Sequence, residues 1–462
     1  MKEKEIKMSE DVGNLPKMPI SVSEKPTLVA LNDWVSSSVT IKLLSVGFLI
    51  LLLLIPTAMI QSLIGEREMR RNEAVQEISG KWGGAQSICG PVLSIPYHYY
   101  ATGDNGKPVE MTGYAHFLPE NLRINAGLVP ELRHRGIYEA VLYRSQINLS
   151  GDFLRPDFSE WDIPADEVLW EQAELSVGIP DMRGINERVV LRWNTDSLLF
   201  EPGMDNTDVF LAGISARIPL KKEMGTYHFE CQLDLNGSAT LNFTPLGKQT
   251  VAEVNSKWKT PSFDGAFLPD EERVGEEGFS ANWKILHLNR NYPQAWRGSA
   301  HQVEGSQFGV KLLQTIDEYQ KNTRSAKYAV MFIALTFLVF FFVEILNRTR
   351  IHPLQYLLVG LALCVFYLLL LSLSEQIRFN WAYLMGAFST ILLITLYVKG
   401  VFRNTRLALF MGGTLTVLYG FLYSILQLQD YALIMGSLLI FATLAIVMYL
   451  SRNIDWYNLN NK

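Results

Sequence analysis

The residues of this 462-residue chain best suited to chemistry are its seven histidines, its three cysteines and one dense run of carboxylates. His98, His116, His134, His228, His287 and His301 all fall between residues 65 and 327. Zinc needs ligands at constrained spacings, and no His-Glu-x-x-His or paired Cys-x-x-Cys occurs, so each histidine reads as a strand or loop residue rather than a ligand. Ser299 precedes His301 by two positions, but nearness in sequence does not make a nucleophile and its base, and there is no Gly-x-Ser-x-Gly elbow. Gly106-Lys107 lacks the glycine five residues earlier that a phosphate-binding loop requires, so ATP-driven transport has no support. Cys89 and Cys231 share the region of the histidines and could pair if it is oxidising. Cys364 lies in an apolar run and reads as a small packing residue. Asp270, Glu271, Glu272, Glu276 and Glu277 crowd residues 265–278 at a spacing that fits no EF-hand, so this stretch reads as a solvated surface loop. No catalytic, cofactor-binding or metal residue is assigned on these grounds, and the chain does not read as an enzyme.

The elements that would position any such residue divide sharply. Residues 354–373 carry no charge, and 381–398, 407–428 and 431–450 read the same way. Residues 328–346 are apolar apart from Glu344, and 43–64 form one more apolar run near the start. A helix rises about 1.5 Å per residue, so about 20 apolar residues cross a hydrocarbon core of about 30 Å. Soluble helices keep a polar stripe, and these have none. The expected fold is therefore a membrane α plus β protein: six transmembrane helices, one then five, with a large extracytoplasmic, mostly antiparallel β domain inserted between helices 1 and 2. The expected boundaries are a tail at 1–42, helix 1 at 43–64, the β-rich domain at 65–327, a five-helix bundle at 328–450 and a second tail at 451–462. The first tail, with Pro16, Pro19 and Pro26, reads as mostly disordered.

Cation-rich short loops stay in the cytoplasm. Arg348, Arg350 and His352 follow the second apolar segment, Lys399, Arg403 and Arg406 the fourth, and Arg452 and Lys462 the sixth. Both termini are then expected in the cytoplasm and residues 65–327 outside it. Arg67, Arg70 and Arg71 oppose the rule, but a long translocated domain weakens it. Pro56 is expected to kink helix 1 or remove one of its hydrogen bonds. Glu344, Glu375 and Asp430 fall at or near segment ends, within reach of water, which argues against a pump. Gly360, Gly386, Gly412, Gly413, Gly420 and Gly436 read as places where helices approach closely.

Between the first two spans, residues 66–79 suggest a short outward helix, ended by a hinge at Trp82-Gly83-Gly84. Period-two runs follow at 88–100, 112–118, 137–148, 174–179, 188–193, 209–218 and 226–243. Asp104-Asn105-Gly106 and Asn236-Gly237 read as hairpin turns, giving one or two antiparallel sandwiches. Residues 308–327 read as a helix leading into the second span. The whole-chain average of 48% hydrophobic residues hides two classes, the apolar C-terminal block and the polar region after the first span, and the net charge of -5 gives no reason to expect nucleic acid.

Longer motifs carry a resemblance. Arg350-Ile-His-Pro-Leu-Gln-Tyr-Leu-Leu-Val-Gly360, Tyr367 through Glu375, Asp430-Tyr431, Gly436-Ser437 and Ile454-Asp-Trp-Tyr457 closely resemble the CreD family of bacterial inner-membrane proteins. So do Leu54-Ile-Pro56, Met59-Ile-Gln61, Trp82-Gly-Gly84, Gly90-Pro91, Pro96-Tyr97 and Phe308-Gly-Val310, from about residue 38 onward. The resemblance implies a role in cell-envelope integrity and stress tolerance. It also implies association with a carbon-source-responsive regulon under the CreB/CreC two-component system, and with colicin tolerance and β-lactam response. It brings no catalytic residue and no cofactor. The expected partners are the lipid bilayer and an envelope component or membrane protein. Two further readings stay open: a transporter or channel through the C-terminal bundle, which requires a water-lined cavity, and an envelope enzyme acting on glycan or lipid, which requires a cleft with convergent carboxylates or histidines.

Overall fold

The computed structural model describes residues 39–102, 107–220, 225–312, 318–347, 349, 351–428 and 431–452. They divide into a helical unit, Met1–Gln61 with Arg324–Leu370 and Asn380–Lys462, and a β unit, Ser62–Thr323 with Leu371–Phe379.

The helices are α1 (Val39–Trp82), α2 (Glu318–Lys327), α3 (Ala329–Leu346), α4 (Pro353–Ser374), α5 (Phe379–Phe402), α6 (Thr405–Gln427) and α7 (Ala432–Ser451). All but α2 are long and apolar enough to cross a membrane, one before the β strands and five after them, as expected. The span and the outward helix expected as two pieces are one continuous α1 of 44 residues. Pro56 lies inside it without ending it; the neighbouring Thr57 hydroxyl donates to the Leu53 carbonyl at 2.7 Å. The helix stops at Trp82 because Gly83 takes φ +145°, where a Cβ would lie 2.6 Å from the Asn236 carbonyl oxygen. Of the glycines expected at close approaches, Gly360 faces Leu53 and Phe337, Gly386 faces Phe366 and Gly412 faces Thr395. Gly413, Gly420 and Gly436 meet nothing within 4 Å, which corrects their assignment as packing positions.

Among the described residues the β unit has seventeen strands. They are β1 (Gln86–Thr102), β2 (Pro108–Phe117), β3 (Asn121–Arg135), β4 (Tyr138–Leu154), β5 (Glu174–Gly178), β6 (Val190–Trp193), β7 (Asp196–Leu199), β8 (Glu201–Pro202), β9 (Gly213–Arg217), β10 (Thr226–Ser238), β11 (Thr240–Phe243), β12 (Gln249–Ser256), β13 (Pro261–Gly265), β14 (Glu271–Gly275), β15 (Gly278–Leu286), β16 (Ala295–Arg297) and β17 (Phe308–Leu312). A nine-stranded sheet runs β13-β17-β11-β1-β5-β9-β8, with β2 also on β1 and β16 on β2. An eight-stranded sheet runs β14-β15-β12-β3-β4-β10-β6-β7. Pairing is antiparallel except for β1 with β11 and β3 with β12. The two sheets enclose one apolar core, so there is a single sandwich.

Alternation builds that core. Leu122, Ile124, Ala126 and Leu128 of β3 point inward while Asn121, Arg123 and Asn125 point out. Trp193 stacks on Tyr227 with ring centroids 5.3 Å apart, and Trp283 of one sheet meets Phe308 of the other at 5.4 Å. Their polar tips are satisfied: Trp193 Nε1 donates to the Pro219 carbonyl at 3.3 Å and Trp283 Nε1 to that of Phe267 at 3.2 Å.

Several expectations are corrected. Residues 308–312 are strand β17, not the start of a helix, because their alternate side chains complete the nine-stranded sheet beside β11. Asn236-Gly237 is no hairpin turn: both lie inside β10, and the chain changes sheet at Ala239, φ +58°, before β11. The acidic stretch is solvent-exposed as expected, but it forms strand β14 and its turn into β15 rather than a loop, with the Asp270 carboxylate accepting from the Lys284 amide at 2.6 Å. Asp104-Asn105-Gly106 lies outside the described residues; β1 and β2 on either side pair antiparallel up to Thr102 and Pro108.

Candidate functional site

The outer faces of the two sheets differ. That of the nine-stranded sheet is covered. Register places His116 opposite Ser94, Ser94 opposite Glu174, and Glu174 opposite Arg217, in one polar row across β2, β1, β5 and β9. Residues 203–212 close over it. Asp205 donates its amide to Glu174 Oε2 at 3.3 Å and places a carboxylate oxygen 3.7 Å from Arg217, and Phe210 packs on the bare backbone of Gly178.

Within the row, Ser94 Oγ lies 2.9 Å from His116 Nδ1, and His116 Nε2 lies 3.2 Å from Asp208 Oδ2. An ionised Asp208 accepts only, so Nε2 carries the proton, and Nδ1 accepts from the Ser94 hydroxyl. Burial lowers the histidine below its ordinary value, with Asp208 opposing, which keeps the ring neutral. A hydroxyl, a base and an orienting carboxylate are the parts of an activated nucleophile. Here they are sealed: Ser94 is 1% exposed and His116 0%, so no substrate carbonyl reaches the hydroxyl in this arrangement. No sequence pattern links Ser94, His116 and Asp208, which lie on three separate segments. Ser299 and His301, neighbours in sequence, form no such set; His301 instead packs edge-on against Trp296 at 5.7 Å.

The remaining histidines are scattered. His98 Nδ1 lies 3.1 Å from Glu110, His134 Nδ1 lies 3.5 Å from Glu139, and His228 contacts Asp152. The His98 contact is an ion-pair distance without hydrogen-bond geometry, since its Nδ1 has no hydrogen-bond partner. Among the described residues no cluster of three or more His, Cys, Asp or Glu side chains could hold a metal. Cys89 and Cys231 are free, buried thiols, each pushed up to about 12 chiefly by burial.

The outer face of the eight-stranded sheet is open. An open groove of about 1250 Å³ crosses it, lined by residues of β3, β4, β10, β12, β14 and β15. Gly127 forms its floor, where an added Cβ would meet only Asn255 Oδ1, at 3.5 Å.

In the helical unit, Glu344 is 3% exposed, not in reach of water as its place near a segment end suggested. Lys42 Nζ lies 2.6 Å from its Oε1, the Ile351 amide donates to the same oxygen at 3.2 Å, and the Tyr356 hydroxyl donates to Oε2 at 2.8 Å. These partners tie α1, α3 and α4 together. Glu375, which belongs to the β unit, accepts from the Tyr319 hydroxyl at 3.1 Å with Arg67 at 3.8 Å. Asp430 lies outside the described residues. A cleft of about 430 Å³ between α1 and α3 is lined by apolar residues, among them Leu43, Val46, Ile50, Leu335 and Phe341, unlike a water-filled path.

Six apolar helices interrupted after the first by a β-sandwich define a multi-pass membrane protein with one large folded insertion. The profile of the family described as "Inner membrane protein CreD" matches residues 38–457. The Inner membrane protein CreD of Escherichia coli (strain K12) is 33% identical over 424 residues, covering 90% of this chain and 93% of that protein. The chain therefore belongs to the CreD family of inner membrane proteins.

Proposed function

We propose that the chain supports cell-envelope integrity and stress tolerance through contacts of its β unit rather than by catalysis. Both termini then lie in the cytoplasm and residues 65–327 in the periplasm. One observation carries this reading. The nucleophile–base–carboxylate set of the β unit is closed to substrate, while a groove lined by polar and charged residues, with Val129 and Val274 among them, lies open on the same unit. That open groove offers amide, hydroxyl and charged side chains for contacts with a partner. The cation-rich breaks at Arg403 and Arg406 support the orientation.

Two measurements test the reading. An alkaline phosphatase reporter inserted at Gly203, an exposed turn, is expected to be active outside the cytoplasm; an active cytoplasmic reporter at the same place overturns the orientation. Deleting the gene is expected to lower survival under detergent and cell-wall stress. Restoration by the Ser94→Ala variant as fully as by wild type is the expected result, and a variant that fails to restore although folded overturns the non-catalytic role.

A further inference from the structure

We propose that the open face of the eight-stranded sheet binds a glycan chain laid across its strands. This deepens the reading above and rests on it for the compartment. Strand register fixes one outward position per strand in a continuous row: Arg273, Ser280, Asn255, Gly127, Gln146 and Asp234. All six line the groove. Strands lie about 4.8 Å apart, so the row spans about 24 Å over five spacings. One spacing is close to the length of a single ring in an extended β-1,4-linked sugar chain.

The chemistry of the row selects the occupant. Between a cation at one end and a carboxylate at the other stand a hydroxyl, two amides and bare backbone. Amides and hydroxyls donate and accept at once, which matches the hydroxyl and acetamido groups of a sugar. The next outward row repeats the pattern, with Asn282, Asn125, Asn148 and Gln232 flanking Glu253. The groove carries both signs, Arg144, Lys257 and Arg273 against Asp234, Glu272, Glu276 and Glu277, so a polyanion gains no net attraction there. Val129 and Val274 also line the groove, but the six-residue row itself carries no apolar side chain on which an apolar helix could anchor. Arg144, which also lines the groove, is held with its guanidinium 5.2 Å from the Trp82 ring centre, so one wall is pre-positioned. Gly127 supplies the trough: backbone without a side chain, between two amides.

Gly127 also supplies the test, because its floor is open and its φ is ordinary. In Gly127→Leu the new side chain stands in the groove without displacing the protein, and strand propensity favours it over glycine. The full chain, purified in detergent, is assayed for cosedimentation with isolated peptidoglycan sacculi and for binding to a soluble N-acetylglucosamine pentamer. Lipopolysaccharide micelles and phosphatidylglycerol vesicles form the other arms. Saturable binding to a glycan is expected, with sacculi against lipopolysaccharide identifying its source. Binding is expected to fall tenfold or more in Gly127→Leu and in the double variant Gln146→Ala/Asn255→Ala, at unchanged melting temperature. No glycan binding by wild type overturns the proposal. So does equal binding by folded Gly127→Leu, or binding to the vesicles alone. The two readings fail separately. A deletion strain of normal tolerance whose protein still binds glycan removes the envelope role and keeps the groove. A sensitive deletion strain fully restored by Gly127→Leu removes the groove and keeps the role.

Discussion

The β unit hides most of its large apolar side chains, whereas α7 of the helical unit displays its own. Trp193, Phe153, Leu233 and Val254 are each at or below 1% exposed, whereas Leu433 and Phe441 on α7 are 85% and 71% exposed. Charge is sorted the opposite way. In the β unit ionic groups sit mostly at the surface, as with Arg192 and Glu230; in the helical unit the carboxylate of Glu344 is inside. Each arrangement is what its solvent demands. Water drives apolar surface inward, while hydrocarbon offers nothing to a carboxylate and leaves Leu at no disadvantage.

The contrast can be broken first by deletion of core volume. Trp193→Ala, which removes the ring stacked on Tyr227, is expected to destabilise the β unit by about 3–5 kcal/mol. Phe441→Ala on α7 is expected to leave the helical unit unchanged. Denaturant unfolding followed by tryptophan fluorescence and by helical circular dichroism separates the two, and equal losses would erase the distinction. Second comes the inward charge. Glu344→Ala strands Lys42 and Tyr356 and is expected to cost about 3 kcal/mol, whereas Lys42→Met with Glu344→Leu is expected to lose far less. A double variant as unstable as the single one would show that the pair gives more than it costs to desolvate.

Acid sharpens the comparison within the β unit. His116 is buried neutral and lowered from its ordinary 6.5. The unfolded chain therefore takes up its proton first, so stability is expected to fall as pH drops through about 6.5 and to level off once the buried ring is also protonated. His116→Gln is expected to flatten the melting-temperature profile between pH 7 and 5; an unchanged slope assigns it to other groups. The smallest effect is chemical. Cys89 and Cys231 are expected to resist a maleimide at neutral pH in the folded protein and to react after denaturation, as mass spectrometry of the labelled chain would show.

How much of this was legible from residues alone follows from where the information sits. Membrane spans are local: residues 354–373 announce themselves by length and want of charge. Strand interiors are local too, which is why the runs near 88–100 and 137–148 appear as β1 and β4. Partners are not local. Nothing near Gln86 says that it will run parallel beside Leu241. Residues 308–312 read as the start of a helix, and only β11 standing next to them makes them a strand. The Ser94, His116 and Asp208 set depends on register between β1 and β2 and on a crossing segment, so its members carry no common pattern. The groove shared this obscurity, since Gly127, Gln146 and Asn255 become neighbours only through pairing across three strands. CreD membership was legible because the resemblance rests on contiguous motifs such as Arg350 through Gly360, which are read without knowing any strand pairing.

The placement of β1 bears on the order of events during synthesis. It leaves the ribosome first among the strands, yet one of its edges is filled by β11, and β11 in turn by β17, about two hundred residues later. Until Phe308–Leu312 has emerged, the newborn sheet carries a raw flank open to any passing strand. Completion of the sandwich is thereby timed to the arrival of the second span, and a pause or truncation ahead of that point leaves a product prone to clumping.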